Sequence, residues 1–316
     1  MILPYIMTLM KKYKHICLLA FVAPVVLTGC SDDDSNDNNN TKDPWVLVWS
    51  DEFNTPTPDN RPDPAKWVYE LGASGYGNEE KQNYTDRVEN ACYSVEDGEG
   101  CLKITALADN YQGVQYSSAR IRTEGRFATT YGRFEARMKL PFGPGMWPAF
   151  WLLGANYATD SWPKCGEIDI MENKGYQPNI VSSALHCPNH YGGTPFTSTF
   201  GYQDQRFDTR FHTYAVEWDH SRISFYVDNR LYHVVTADQM AKEDWAFDHD
   251  FFIILNLAVG GVFGGDPTAD TVFPQSLYVD YVRVYQRKSQ LTSSEIVVGG
   301  GSSDWTSGED TDVNAG

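Results

Sequence analysis

The stretch "GEIDIMENKG", residues 166–175, predicts a β-strand that carries three acids. Glu167 and Asp169 are two residues apart, and side chains at that spacing point to the same face of a strand. Glu172 follows three residues later, so a regular strand would turn its carboxylate into the core. A β-bulge between Asp169 and Glu172 adds one residue and returns Glu172 to the face of the other two acids. The sequence therefore predicts a bulged strand with three acids in a row.

Such a row predicts carboxyl groups with unequal protonation. Neighbouring same-face positions lie about 6.5–7 Å apart along a strand, so the two outer glutamates can lean inward over the shorter aspartate. Their carboxyl groups can then approach the roughly 5–5.5 Å separation of a retaining glycosidase. That chemistry needs one ionised nucleophile beside one protonated acid, and repulsion among three anions raises at least one pKa. The simpler alternative is a solvent-facing acidic strand, although like charges in a row cost stability.

The rest of the chain predicts an all-β fold. Short runs of β-branched and aromatic residues recur, such as "WVLVWSDEF" at 45–53, "RFEARMKL" at 133–140 and "FFIILNLAV" at 251–259. Clusters of Gly, Pro, Asn and Asp separate them, and no long stretch with a 3.6-residue period is present. Many short strands with turns between them indicate a sandwich or a barrel. The pattern stops after Tyr285, so we expect one domain at residues 44–288.

The two ends of the chain predict export and a lipid anchor. Three lysines precede the apolar run "ICLLAFVAPVVLTGC", which is typical of a secretory signal peptide, here residues 1–29. Its "LTGC" end resembles a bacterial lipobox, so Cys30 is predicted to carry the lipid; an uncleaved anchor helix is the alternative. Residues 30–43 are acidic and rich in Asn, which predicts a disordered tether that resembles the export signal of surface lipoproteins. Residues 289–316 predict a disordered tail. We therefore expect an outer-membrane lipoprotein, exposed at the cell surface and bound to the membrane only through its lipid.

Composition limits the partners. The net charge of −17 argues against nucleic acid, whose phosphates attract basic surfaces, and leaves neutral substrates. Aromatic residues make up 14% of the chain, which suits an all-β protein or a sugar-binding one. The composition leaves the oligomeric state open.

Four cysteines belong to the predicted domain. An exported chain folds in an oxidising compartment, where disulfides form. Cys92 and Cys101 flank a turn-rich segment, and Cys165 and Cys187 lie near the open end of a predicted hairpin. We expect two disulfides, with free buried thiols as the alternative.

The acidic stretch resembles the E-x-D-x-x-E signature of glycoside hydrolase family 16, of the laminarinase type. Further segments occur in the order that this family has: "VWSDEFN", "YGRFEARMKLPFGPGMWPAFWLLG", "FHTYAVEWD", "FFIILNLAVGG" and "VDYVRVY". The resemblance implies an all-β jelly-roll sandwich of two curved antiparallel sheets with a concave substrate cleft. It implies endo-acting, retaining hydrolysis of β-1,3 and/or mixed β-1,3/1,4-glucosidic bonds in laminarin, lichenan or cereal β-glucan, without a catalytic cofactor. Two alternatives remain: a non-hydrolytic surface glycan-binding lipoprotein, and another family 16 activity, on galactan, carrageenan or xyloglucan.

The resemblance also implies roles for the three acids. Glu167 becomes the nucleophile, Glu172 the acid/base, and Asp169 a hydrogen-bonding neighbour of the nucleophile. One departure concerns the chain after "NLAVGG", where laminarinases commonly carry a Trp-Pro pair and this chain reads "VFGGDP". We expect one aromatic side chain fewer in the cleft, which leaves room for mixed-linkage glucan.

Other residues are expected to bind the sugar chain. In "GMWPAFW" the two tryptophans share one strand face, and an indole can stack on the apolar face of a sugar ring. His186 ends a strand predicted to pair with the acidic one, so we expect it to reach the acid/base carboxylate. The resemblance places one Trp at the subsite next to the cleavage point, and two further polar residues in the cleft. The predicted binding residues are Trp147, Trp151, Trp162, His186, Asn256 and Arg120. Three further tryptophans, Trp49, Trp67 and Trp218, are expected in the core.

A structural calcium ion is the last expectation, and it comes from the resemblance alone. The matching positions are Glu52, Gly100 through its carbonyl, and Asp280. Oxygen ligands of this kind suit Ca²⁺.

Overall fold

Most elements of the described residues are β-strands. The computed structural model of the chain describes residues 43–291. In chain order the strands are β1 (Trp45–Asp51), β2 (Val68–Glu70), β3 (Gln82–Tyr84), β4 (Ala91–Glu96), β5 (Glu99–Ala106), β6 (Tyr116–Ser118), β7 (Arg120–Arg122), β8 (Gly132–Lys139), β9 (Met146–Gly154), β10 (Glu167–Asn173), β11 (Ile180–His186), β12 (Phe196–Gly201), β13 (His212–Trp218), β14 (Arg222–Val227), β15 (Arg230–Thr236), β16 (Phe251–Val259) and β17 (Gln275–Arg287). The helical elements of these residues are one short α-helix, α1 (Gly261–Gly264), and the 3-10 turns Gly75–Gly77, Tyr111–Gly113, Ala237–Gln239, Lys242–Asp244 and Lys288–Gln290.

The strands form two large antiparallel sheets. The eight-stranded sheet has the order β15-β14-β13-β8-β17-β5-β4, and β1 pairs with the end of β17. The seven-stranded sheet has the order β12-β11-β10-β9-β16-β7-β2. A small parallel pair, β3 and β6, accompanies them. The predicted all-β sandwich of two antiparallel sheets is confirmed.

The hydrophobic core lies between the two sheets. Phe134 and Phe225 come from the eight-stranded sheet, and Phe150 and Ile168 come from the seven-stranded sheet; all four are fully buried in one cluster. Because strand side chains alternate, only one face of each sheet joins this core. Burial of each such side chain contributes about 1.5–3 kcal/mol. The predicted core tryptophans belong to the same cluster, Trp67 and Trp218 buried and Trp49 partly buried against it. The outer face of the seven-stranded sheet is thus free to carry polar side chains.

The two ends of the described chain meet. The backbone N–H of Ser289 donates to Asp43 Oδ1 at 3.0 Å, and that of Lys288 donates to the carbonyl of Pro44 at 2.9 Å. Asp43 and Ser289 each lie one residue outside the limits 44 and 288 expected from the sequence, and those limits stay a prediction. The predicted signal peptide, the predicted lipidation site Cys30, the predicted tether before Asp43 and the predicted tail after residue 291 lie outside the described residues. Within 43–291, no helix is long and apolar enough to cross a membrane.

The expected disulfides are not formed, and all four cysteines are free thiols. Cys92 pairs across the strands with Lys103, while Cys101 pairs with Ser94. The two residues are therefore diagonal neighbours, with Cα atoms about 7–8 Å apart by the usual spacing, which exceeds the Cα separation that a disulfide spans.

The second cysteine pair is also unbonded. The thiol of Cys187 is buried and packs against Met240 Sδ at 3.9 Å. Cys165 is also buried, and its carbonyl contacts His249 Nε2 at 3.0 Å. The free-thiol alternative is thus the one observed.

Candidate active site

The acidic strand β10 contains the predicted bulge. Asp169 pairs with Ala184 of β11, but Glu172 pairs with Ser182, so two residues of β10 stand opposite one residue of β11. The register towards β9 shifts at the same place. The extra residue resets the alternation, as expected for a bulge.

The bulge sorts the side chains of β10 between core and cleft. Ile170 and Met171, the bulged pair, are both buried in the core. Glu167, Asp169 and Glu172 all line a cleft of about 1010 Å³ on the outer face of the seven-stranded sheet. The predicted row of three acids on one face is therefore confirmed.

A glycine fixes where β10 begins. Gly166 has a φ of 70°, a backbone conformation that residues with a side chain rarely adopt. A Cβ at this position would lie 2.4 Å from the carbonyl oxygen of Ala246 and 2.9 Å from Phe251 Cζ. The close approach of these two residues locks the strand immediately before Glu167.

Small side chains lie beside the acids. Ala149 of β9 pairs with Glu172, and Ala184 of β11 pairs with Asp169. Both alanines line the cleft. Because neither fills the space above its strand, a sugar ring has room to lie over the carboxyl groups.

Each of the three carboxyl groups has a raised pKa. Burial raises the pKa of Glu167 to about 8, and Asp169 adds to the increase. Burial also raises the pKa of Asp169 and of Glu172 to about 8. The Glu167 side chain is 18% exposed, but the exposed part lies inside the cleft and not at the outer surface of the protein. The free site therefore holds protons near neutral pH, as a general acid requires.

His186 lies beside Glu167 and Asp169, and not beside Glu172 as expected. Its Nε2 is 3.2 Å from Asp169 Oδ2 and 3.8 Å from Glu167 Oε1. The expectation that it reaches the acid/base carboxylate Glu172 is wrong. The reason is the register, because His186 pairs directly with Glu167.

Trp147 contacts Glu172 in place of that histidine. Its indole N–H donates to Glu172 Oε1 at 2.9 Å. A hydrogen bond to the ionised form lowers the pKa of the Glu172 carboxyl, which opposes the larger effect of burial. The predicted sugar-stacking residue thus also orients the carboxyl group.

Trp151 belongs to a polar network on the cleft floor. Its indole N–H donates to Asn256 Oδ1 at 2.8 Å, and the amide of Asn256 donates to the hydroxyl of Tyr84 at 3.1 Å. The guanidinium of Arg120 stacks over the Trp151 ring at 4.7 Å and pairs with Glu70 at 2.8 Å. The structure thus brings the predicted residues Trp151, Asn256 and Arg120 together.

The loop before β10 supplies the predicted Trp162. This side chain is 45% exposed and lines the cleft. Its ring lies 5.8 Å from the imidazole of His186 and 5.4 Å from the ring of Tyr191. It is therefore an open stacking surface beside the Glu167 end of the acidic row.

The sequence analysis missed two aromatic side chains of the cleft, Tyr76 and Phe263. Phe263 of α1 lines the cleft, and its ring packs 5.1 Å from that of Trp147. The ammonium of Lys174 lies 4.6 Å from the Phe263 ring centroid. The expectation of one aromatic fewer is therefore wrong, because α1 turns the Phe of "VFGGDP" back onto the sheet. The aromatic residue Phe263 in this segment was the sequence feature that could have predicted the contact.

A buried polar contact lies behind the bulge. The hydroxyl of Ser183, on the core side of β11, is 2.8 Å from His233 Nδ1 on β15 of the opposite sheet. Burial lowers the pKa of His233 to about 4, so its imidazole is neutral at physiological pH. This contact joins the two sheets at the bulge.

Comparison with known proteins agrees with this geometry. The family model described as glycosyl hydrolases family 16 matches residues 78–283. The chain belongs to this family. A β-glucanase of Rhodothermus marinus is 42% identical over 291 residues, which cover 89% of this chain and 98% of that protein.

Solved structures of family 16 have the same fold. The laminarinase catalytic domain of Thermotoga maritima aligns with a TM-score of 0.70 and 43% identity, over 77% of this chain and 98% of that one. The catalytic domain of an endo-1,3-β-glucanase (laminarinase) of Thermotoga petrophila gives a TM-score of 0.71 and 43% identity, over 78% and 99% of the two chains. The fold expected from the sequence, a family 16 jelly roll, is confirmed.

In this family 16 chain, the residues expected to hold calcium have other partners. Glu52 accepts hydrogen bonds from Arg283 Nε at 3.0 Å and Nη2 at 2.7 Å. Asp280 forms an ion pair with Arg137. Gly100 packs against the backbone that follows Glu52. Because guanidinium groups neutralise both carboxylates, these residues do not form an ion site as they are arranged.

Proposed function

We propose that this family 16 chain is an endo-acting, retaining β-glucanase. Its expected substrates are neutral glucans with internal β-1,3 or mixed β-1,3/1,4-glucosidic bonds, such as laminarin, lichenan and cereal β-glucan. One observation carries the proposal: the bulge places Glu167 and Glu172 on the same cleft floor, between aromatic side chains. An open cleft that binds the chain along its length suits cleavage inside a polymer.

The reaction begins with proton transfer and attack. Glu172, protonated in the free site, donates its proton to the glycosidic oxygen while Glu167 attacks the anomeric carbon. The C–O bond to the leaving sugar breaks, and a glycosyl ester forms on Glu167. Glu172, now ionised, takes a proton from water, which attacks the ester and releases Glu167. Two inversions give net retention, and the cycle uses only side chains and water.

The neighbours of Glu167 support its role as the ionised partner. The positive charge of a protonated His186 would lower the pKa of Glu167. Asp169 has a raised pKa, so it can keep its proton at neutral pH and donate a hydrogen bond to the Glu167 carboxylate. At the other end, Glu172 accepts a hydrogen bond from the Trp147 indole, and the charges of His186 and Lys174 lower its pKa less than that hydrogen bond does. The two ends of the acidic row thus differ in the way that a retaining mechanism needs.

Product analysis tests the stereochemistry. Proton NMR of early products from laminarin and lichenan should show the β-anomer first. An initial α-anomer would mean direct attack by water and would overturn the role of Glu167.

Glu167→Gln and Glu172→Gln should each lower kcat by several orders of magnitude while glucan binding survives. If Glu167→Gln kept more than a tenth of the activity, the assignment of the nucleophile would fail. Both variants also test the non-hydrolytic alternative, because a glycan-binding protein would have no activity to lose.

Linkage preference is the finer part of the proposal. Phe263 restores an aromatic wall beside Trp147, which supports a β-1,3-glucan substrate. We expect cleavage of laminarin and lichenan but not of agarose, carrageenan or xyloglucan. Comparable rates on the second group would indicate another activity of the family.

We further propose that the protein is a surface lipoprotein. The support is the lipobox-like "LTGC" with Cys30 and the acidic run behind it. Cys30→Ala should release the protein from membranes, because the lipid is its expected anchor. Replacement of Asp32, Asp33 and Asp34 by Ala should keep the lipid but reduce cleavage by external protease. Unchanged cleavage would show that the acidic run is only a spacer.

Structural calcium stays a prediction of the family resemblance. Binding would require Glu52 and Asp280 to exchange their arginine partners for the ion. If the prediction holds, calcium should raise Tm relative to EDTA, and Asp280→Asn should abolish the rise. An unchanged Tm in the wild-type protein would contradict it.

A further inference from the structure

Three side chains at one end of the acidic row are arranged like metal ligands. Glu167, Asp169 and His186 offer ligand atoms that all lie within 4.8 Å of one another. His186 Nε2 is 3.2 Å from Asp169 Oδ2 and 3.8 Å from Glu167 Oε1. Around a tetrahedral zinc ion with bonds of roughly 2.0–2.1 Å, ligand atoms lie about 3.3 Å apart. Small rotations of the side chains would therefore complete the geometry.

A second observation points to a ligand. Asp169 is only 4% exposed, and among the described residues its Oδ2 has no hydrogen-bond partner. This oxygen faces Nε2 of His186. A buried carboxylate oxygen without a well-aligned hydrogen bond is costly, and an ion that it coordinates removes that cost.

The site is open on one side. Glu167 and His186 keep 18% and 15% side-chain exposure, and all three residues line the cleft. An ion can therefore enter from the cleft, and its remaining coordination position would face water. Sites with three protein ligands and one open position are common for zinc.

We propose that Glu167, Asp169 and His186 bind a divalent transition ion, of which zinc is the probe of choice, and that the bound ion reversibly inhibits the enzyme. The donor set decides the class of ion, because imidazole with carboxylates suits zinc and copper, whereas calcium needs six to eight oxygen ligands. The ion coordinates the carboxylate of Glu167, which is then not available to attack the substrate. Binding itself does not depend on hydrolysis, although the inhibition rests on the proposed function.

The expected affinity is moderate. His186 Nδ1 is buried without a hydrogen-bond partner among the described residues. Zinc-binding histidines usually donate this second N–H to a carboxylate or carbonyl, and loss of such a partner typically costs 10–100-fold in affinity. We therefore expect dissociation constants in the micromolar range rather than the nanomolar range.

Titration with zinc chloride in a calorimeter, without glucan, tests the site. The wild-type protein should bind one ion, and zinc should raise Tm. His186→Gln should weaken binding at least tenfold, because it removes a ligand and loss of even a hydrogen-bond partner of a ligand typically costs 10–100-fold. The matched control is His220→Gln, whose side chain is 79% exposed and lies outside the cleft; its affinity should equal that of the wild type. Circular dichroism checks the fold of each variant. If His186→Gln does not fold, Asp169→Asn is used in its place.

Three outcomes would overturn the proposal. The first is no heat of binding at millimolar zinc, and the second is unchanged affinity in His186→Gln. The third is loss of binding in His190→Gln, which would place the ion at His190 and Asp244, whose side chains lie 3.7 Å apart. Zinc should also stop glucan hydrolysis, and EDTA should restore it. If zinc binds at His186 in a protein that hydrolyses no glucan, the proposed function fails while the metal site stands.

Discussion

At the scale of single residues, Trp147 combines two roles that the sequence suggested only in part. Its ring packs against Phe263 as part of the cleft wall, and its indole N–H holds Glu172. Burial raises the pKa of Glu172, while this hydrogen bond favours the ionised form. The balance sets the pH at which the acid loses its proton.

Trp147→Phe should lower kcat about tenfold and shift the basic limb of the kcat profile to higher pH. The ring remains, but the donor to the ionised carboxylate is lost, so the pKa of Glu172 rises. The shift is measured in pH–rate profiles on laminarin. Trp151→Phe is the control, because its N–H donates to Asn256 and not to an acid. A basic limb that stays in place in Trp147→Phe would contradict this role.

At the scale of elements, the bulge in β10 couples core and cleft. The same extra residue that turns Glu172 outward turns Ile170 and Met171 into the core. Behind it, Ser183 on β11 meets His233 of the opposite sheet. The position of the acid therefore depends on how well the back of the strand packs.

Deletion of Met171 should leave a folded protein with kcat lower by about ten- to a thousandfold. The spacing becomes E-x-D-x-E, in which regular alternation keeps the three acids on one face, but a displacement of about 1 Å can cost about 10² in rate. Met171→Leu keeps the strand length and should stay close to the wild type. A rise of kcat after the deletion, with an intact circular dichroism spectrum, would mean that the bulge does not place Glu172.

Ser183→Ala should lower the free energy of unfolding by about 1–3 kcal/mol, because it leaves the buried His233 Nδ1 without a partner. Urea unfolding measures the change. Ser182→Ala, at the neighbouring position that lines the cleft, removes a hydroxyl that already lacks a partner among the described residues and should be almost neutral. Equal effects of the two substitutions would show that the contact between the sheets adds nothing.

At the scale of the whole molecule, the active site makes stability depend on pH. Glu167, Asp169 and Glu172 have a folded pKa of about 8, far above the ordinary value of a carboxyl group. The folded protein therefore holds protons that the unfolded chain has already released. The stabilisation is fully present below the ordinary pKa and is lost as pH rises towards 8.

Glu172→Gln should raise Tm, and the increase should be larger at pH 8.5 than at pH 4.5. An amide carries no charge that must be removed from water, so the penalty at high pH disappears. Differential scanning calorimetry at both pH values measures the effect. Glu243→Gln, an exchange at an exposed position, should change Tm little at either pH. A gain for Glu172→Gln that is equal at both pH values would argue against the raised pKa.

Local patterns in the sequence determined the fold class and the row of acids. The fold class follows from alternation with a period of two and from turn residues between short runs. The row of acids follows from one E-x-D-x-x-E spacing, because strand geometry fixes where neighbouring side chains point. The same stretch and its companions also indicated the family.

Only the tertiary structure decided which side chains meet. His186 joins Asp169 rather than Glu172 because of the register of β10 and β11, and Cys92 misses Cys101 by one diagonal step. Phe263 reaches the cleft because α1 turns back onto Trp147. Such contacts join residues that are distant in the chain, and their geometry depends on how strands and loops pack together. A short sequence pattern carries no information on that packing.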